Sequence, residues 1–211
     1  PVPTASIDAV VLSHAHIGHS GFLPCLVALG FKGPVYATQG TADLCRLLLP
    51  EAGRLQEAEA RLANLQGYSR HQPALPLYTE EDALVSLGSL VPGPFGVETE
   101  IAPGVHITLR PAGHILGSST VTLRLEDADD RTVVFSGDLG RHEHPILCPP
   151  SPIGRADVVV MESTYGNRFH DDADALDRFG SAISRTVARG GTVLIPAFAV
   201  DRTEVVLFHL R

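Results

Sequence analysis

A chain of 211 residues with 44% hydrophobic and 19% charged residues is long enough to fill one core and too apolar to be disordered. Its formal net charge of −8 speaks against a domain that binds nucleic acid on its own, because such domains present a basic face. No apolar run approaches bilayer-spanning length and no charged-then-apolar leader is visible, so no membrane partner is expected and the cytoplasm is the expected location. Cys25, Cys45 and Cys148 are widely spaced and odd in number. They read as buried thiols in apolar surroundings, not as a disulfide framework or a thiolate zinc site.

The first element is a short buried strand over 9–12. Residues 19–29 read as a helix interrupted near Pro24. A second strand covers 34–38, between Gly33-Pro34 and Gly40. Helices are expected over 41–49 and over 51–66, the latter with Leu55, Ala58, Leu62 and Leu65 as its apolar stripe. Residues 67–78 read as irregular, and Thr79-Glu80-Glu81-Asp82 as a capped helix start. Strands follow at 96–101, 105–110, 119–125 and 132–136. The tail alternates: a buried strand at 158–161, a helix at 174–188, a strand at 192–195 and a helix at 202–210. In the helix over 174–188, Ala175, Phe179, Ala182, Ile183 and Val187 give a core face. No repeat or low-complexity segment interrupts this order. A mixed αβ order with an antiparallel middle fits a sandwich of sheets flanked by helices. The chain starts at Pro1 and stops inside a predicted helix, so the sandwich is expected to be incomplete at both ends.

Chemistry concentrates in His14-Ala15-His16-Ile17-Gly18-His19, directly after the first strand. Neutral imidazole is the commonest side-chain metal ligand, and residues two apart in extended chain project to one side. A helix entry at Ser20-Gly21-Phe22-Leu23 carries His19 back toward the pair. Two later segments each add one ligand type at a strand end: His114 in Ala112-Gly113-His114-Ile115-Leu116-Gly117-Ser118, and Asp138 in Ser136-Gly137-Asp138-Leu139-Gly140.

The order of these motifs resembles the metallo-β-lactamase fold, whose signature is His-x-His-x-Asp-His, and this chain departs from it at one position. Gly18 stands where that family has Asp. The resemblance implies an αβ/βα sandwich and two zinc ions. The first would be held by His14, His16 and His114 with Asp138 bridging. The second would take His19 and Asp138 but lacks the carboxylate that glycine cannot supply. Val159-Val160-Met161-Glu162-Ser163-Thr164-Tyr165-Gly166 looks like the first motif of the β-CASP branch, the RNA- and DNA-processing nucleases of this fold. There the acid, here Glu162, hydrogen-bonds a metal-ligating histidine. Residues 190–202 resemble the stretch leading into the inserted β-CASP domain, which would begin near or after residue 200, making 1–211 one metallo-β-lactamase-like domain.

The expected function is zinc-dependent hydrolysis of RNA phosphodiester bonds by metal-activated water, with Asp138 and Glu162 serving catalysis and the substrate clamped by a β-CASP domain outside this chain. Two alternatives stand beside it. A degenerate homologue acting as a scaffold is favoured by Gly18, and a small-molecule hydrolase of the same fold is opposed by Glu162-Ser163-Thr164-Tyr165-Gly166. Oligomeric state stays open, a homo-oligomer included. His71, His106, His142, His144, His170 and His209 lack motif context and read as surface or loop histidines. Arg168 and Arg202 read as surface arginines before phosphate contacts. Ser20 follows His19 and Ser136 opens the Ser-Gly-Asp turn, but no Gly-x-Ser-x-Gly elbow exists for a serine hydrolase.

Overall fold

A computed structural model describes residues 3–126, 130–169, 173–198 and 200–211. The chain forms two compact units, Pro1–Met161 and Glu162–Arg211. The first contains two sheets. One is three-stranded and parallel, in the order β1 (Val10–Val11), β2 (Val35–Thr38), β3 (Leu90–Gly93). The other is five-stranded, running β4 (Glu98–Ala102), β5 (Val105–Pro111), β6 (Ser119–Leu125), β7 (Arg131–Phe135), β8 (Val158–Val160). Its first four strands pair antiparallel and the last pair is parallel.

The two sheets meet through one apolar cluster. Ile107, Leu109 and Val121 of the larger sheet are buried, and Val11 and Tyr36 of the smaller one pack against them. Ile107 and Leu109, two apart on β5, share the face that carries this cluster, while Arg110 is exposed.

Helices α1 (Ile17–Ser20) and α2 (Leu23–Ala28) follow β1, α3 (Gln39–Gln66) follows β2, and α4 (Glu80–Ser86) precedes β3. The break between α1 and α2 falls before Pro24 and not at it. Pro24 sits in the first turn of α2, where a missing N–H costs nothing. The two helices expected over 41–49 and 51–66 are a single one of 28 residues with Pro50 inside. Proline removes one bond of the ladder, yet burial on both sides of it, at Cys45, Leu49 and Gly53, holds the helix together. Thr38 caps its start by accepting from Thr41 N, and Gly67 ends it at φ 69°. The predicted cap of α4 is present in full: Thr79 and Asp82 exchange side-chain and backbone bonds in a capping box.

The apolar stripe expected on α3 faces the wrong way. Its buried side is made of small residues, Ala42, Cys45, Gly53, Ala60 and Ala63, with Leu49. Leu55, Leu62 and Leu65 lie on the opposite side and are 46% to 85% exposed. Close approach decides this. A Cβ on Gly53 would sit 2.7 Å from the backbone of Thr79 and Glu80, so only a small face fits against α4.

Strand β3 was not foreseen, since Pro92 argues against a strand; β3 lies at the sheet edge, where proline is tolerated. The valines of β8 are about half exposed, not buried, because β8 ends its sheet. Cys148 is exposed and Cys25 half-buried; only Cys45 is buried.

In the second unit, α5 (Ala175–Ala188) and α6 (Arg202–Leu210) form as expected. The predicted strand over 192–195 does not, and no strand of that unit is found among its described residues to hydrogen-bond with it. The apolar face of α5 is not buried either, because so small a unit offers no core. His170 and Ala199, from the expected surface histidines and the 190–202 stretch, lie outside the described residues. No helix among the described residues is long and apolar enough to cross a membrane.

Gly53→Ala tests the packing of α3. In an open helix the change would stabilise by about 1 kcal/mol. Here it is expected to destabilise by about 1–3 kcal/mol through backbone overlap, whereas Leu62→Gln on the exposed side should stay within about 0.5 kcal/mol. Urea denaturation of both variants reads the difference.

Candidate metal centre

Three loops at the ends of strands build the site. Pairing of the small sheet continues one residue past β1, where Leu12 N donates to Tyr36 O. Residues 13–16 then lead into the one-turn helix α1, with His16 at its N-cap. The turn is closed by Ser20, whose buried hydroxyl donates to Ala15 O at 2.9 Å, and it carries the His19 ring to 4.0 Å from that of His14. The second loop joins β5 to β6 and holds His114. The third leaves β7 and holds Asp138, just after Gly137 at φ 57°.

Backbone contacts lock the loops to one another. Ser119 N and Ser119 Oγ both donate to Ser13 O, at 2.8 and 3.0 Å, tying the start of β6 to the His14 segment. Gly140 N donates to Ala112 O at 2.8 Å, tying the Asp138 loop to the His114 loop. A Cβ on Gly137 would lie 2.8 Å from Ser13 Cβ, and one on Gly140 would overlap the Gly113 carbonyl. Glycine is required where these backbones touch.

His14, His16, His114 and Asp138 each bring one donor atom to within 4.8 Å of the others. His114 Nε2 lies 3.1 Å from His16 Nδ1 and 3.4 Å from Asp138 Oδ2, and His14 Nε2 lies 3.7 Å from the same oxygen. Tetrahedral coordination at about 2.0–2.2 Å sets donors about 3.3–3.6 Å apart, so the spacing suits a metal ion. A second observation agrees. His14 is fully buried and its Nε2 has no hydrogen-bond partner. Leaving a buried nitrogen in that state is costly unless something else takes its lone pair. The opposite ring nitrogen, Nδ1, lies 3.1 Å from Ser13 Oγ. A proton held there leaves Nε2 free to donate its electrons into the cluster.

Burial pushes the His14 imidazole down to about 3 from its ordinary 6.5, with His19, His114 and His16 adding repulsion. The ring is therefore neutral at physiological pH.

His19 stands at the rim. Its side chain is 40% exposed and its Nε2 lies 3.3 Å from Asp138 Oδ1. The two oxygens of Asp138 thus face different neighbours, Oδ2 toward His14 and His114 and Oδ1 toward His19. Gly18 is exposed, and a Cβ added to it would meet nothing within 4 Å, so an aspartate would fit there. Glu162 opens the second unit and is half-buried.

The other singled-out residues have local roles. Ser136 Oγ donates to Gly137 O, as Ser20 does to Ala15 O, so neither hydroxyl is a nucleophile. His71, His142 and His209 are exposed, as expected. His106 is not a surface or loop histidine: it lies on β5, only 15% of its side chain is exposed, and its Nε2 is 3.1 Å from Glu126 Oε1. His144 accepts from Ile146 N and Leu147 N and shapes its own turn. Arg168 stacks at 5.8 Å over Tyr165. Ser13 and Ser119 join the site without any motif of their own to mark them in the sequence.

Residues 1–174 match the family described as beta-lactamase superfamily domain. The chain belongs to the beta-lactamase superfamily. As a superfamily member with this α/β sandwich it carries the metallo-β-lactamase fold. A Thermus thermophilus protein described as a ribonuclease is 35% identical over 97% of this chain and 43% of its own length. Transcription termination factor FttA of Methanothermobacter thermautotrophicus is 35% identical over 98% of this chain and 31% of its own. The chain thus spans less than half the length of these curated relatives. Among solved structures, a Cronobacter sakazakii metallo-beta-lactamase with a HARLDQ motif is 20% identical, with a TM-score of 0.42 over 69% of this chain and 46% of that one.

The low pKa of His14 has a consequence for the metal-free protein. Below pH 6.5 the unfolded chain protonates this ring while the folded one does not until about pH 3. The unfolded state then binds more protons, so stability falls as pH falls through that window, by about 1.4 kcal/mol per pH unit from this group alone. Chelator-treated protein is expected to lose stability more steeply between pH 6.5 and 3 than a His14→Gln variant, measured by urea denaturation.

Proposed function

We propose that this chain is the metallo-β-lactamase part of a zinc-dependent ribonuclease of the β-CASP kind. The convergence of His14, His16, His114 and Asp138 around a buried nitrogen with no protein partner carries the reading. RNA as substrate is supported by relatives described as a ribonuclease and as termination factors, and by the resemblance of residues 162–166 to the first β-CASP motif.

His14, His16 and His114 would hold one zinc ion with Asp138. His19 would share Asp138 with a second, for which Gly18 leaves one ligand fewer. Bound zinc supplies a Lewis acid for a phosphoryl oxygen and a means of ionising water at neutral pH. The chain's own groups do the rest. Ser13 holds the Nδ1 side of His14, so that ring presents Nε2. Asp138 Oδ2 and Oδ1 face the two groups of histidines and set them relative to each other. Glu162 would support a ligating histidine, as the resemblance implies. A chain of net charge −8 repels a polyanion, so the surface that clamps RNA is assigned to a β-CASP domain outside these residues, and the location to the cytoplasm.

Gly18 favours a second reading, a homologue that binds RNA-processing partners without cleaving. Zinc content and RNA cleavage by the full-length protein, native and Gly18→Asp, separate the two. Native protein is expected to cleave and to stop when chelated. Cleavage by the Gly18→Asp form alone would establish the scaffold. Replacing a ligand, in His114→Ala, should weaken zinc binding more than about 100-fold, beyond what a residue outside the ligand set produces.

A further inference from the structure

The His114 loop is held by three buried hydroxyls that the proposed chemistry does not use. Between β5 and β6 the chain passes through Gly113 at φ 67° and Gly117 at φ 76°, two residues that leave a free loop many conformations. Ser118, 3% exposed, closes it from inside: its Oγ accepts from His114 N at 3.0 Å and from Ile115 N at 3.2 Å. Its own N–H and carbonyl are bonded too, to Ile115 O and Ala112 N.

The outer side of the loop is fastened to the start of α3. Gly117 O accepts from Thr38 Oγ1 at 2.6 Å and from Thr41 Oγ1 at 2.9 Å. A hydroxyl has one proton, so each threonine that donates to Gly117 O spends it there. Thr38 Oγ1 keeps its acceptor side for Thr41 N, and the 3.1 Å contact between the two hydroxyls carries no proton of its own. Both threonines are buried. The backbones touch: a Cβ on Gly117 would lie 2.2 Å from Thr41 N. Buried hydroxyls are not matched this way everywhere here, since Thr120 Oγ1 is buried with no hydrogen-bond partner.

We infer that Ser118, Thr38 and Thr41 are positioning residues for His114, holding the loop so that its imidazole meets the other donors before any ion arrives. The inference rests on the metal reading above. Its physical content is preorganisation: with the loop fixed during folding, binding need not order it.

Zinc titration of the full-length protein against a competing chelator tests this, beside urea denaturation of each metal-free form. Ser118→Ala strands two N–H groups and Thr41→Val removes one tether while conserving shape. Each is expected to weaken zinc binding about 10–100-fold, and Thr41→Ser to restore it. Ile107→Ala, a core truncation outside the loop, gives the comparison: it should lower stability and leave zinc affinity within about twofold. If Ser118→Ala and Thr41→Val bind zinc as tightly as native protein, or no more weakly than Ile107→Ala, the three residues are merely structural. Should native protein take up no zinc, the metal reading falls and this inference with it.

Discussion

One nitrogen atom, His14 Nε2, sets the terms for the first unit of this protein. It is dry, neutral and without a hydrogen bond from the chain. A group in that state costs about 1–3 kcal/mol relative to a paired one, and an ordinary core would replace it by a leucine. Retaining an imidazole there makes sense only if its lone pair has work to do. The surroundings agree: the ring sits among His16, His19 and His114, with the Asp138 carboxylate 3.7 Å from its Nε2.

Bringing five such residues together takes backbone contacts as well as side-chain hydroxyls. The ligands belong to three strand ends that are distant in sequence, and what joins those ends is a set of glycine contacts and main-chain bonds. Ser119 reaches Ser13, Gly140 reaches Ala112, and Gly117 lies against Thr41. Helix α3 then acts as a foundation, since its capped first turn touches the same loop. The parallel sheet supplies the remaining rigidity through β2, where Val35 and Ala37 are completely buried.

The chain of motifs was readable because metal chemistry demands particular residues at strand ends, and period-two patterns expose those strands. His14, His16, His19, His114 and Asp138 each stood beside a recognisable apolar run. Strand β3 was not readable, because Pro92 and Gly93 are poor strand formers that only an edge position excuses. The orientation of α3 was not readable either: hydrophobicity favoured the leucines, while steric fit against Thr79 and Glu80 required Gly53. Close packing outranked transfer from water there. The roles of Thr38 and Thr41 were equally hidden, for they act on a carbonyl 76 or more residues away. The tail shows the reverse case, a segment at 192–195 with strand-like composition and no strand formed. Composition states a preference, but pairing requires a neighbour.

The larger sheet ends at β8, whose three valines are each about half exposed and whose outer edge carries no further strand among the described residues. An edge strand offers its outer amides and carbonyls to whatever strand is brought beside it. For residues 1–211 by themselves, pairing at this edge would rise with concentration, which makes crowding the stress to which they are open. Gatekeeper charges on Val159 would blunt it without touching the histidines.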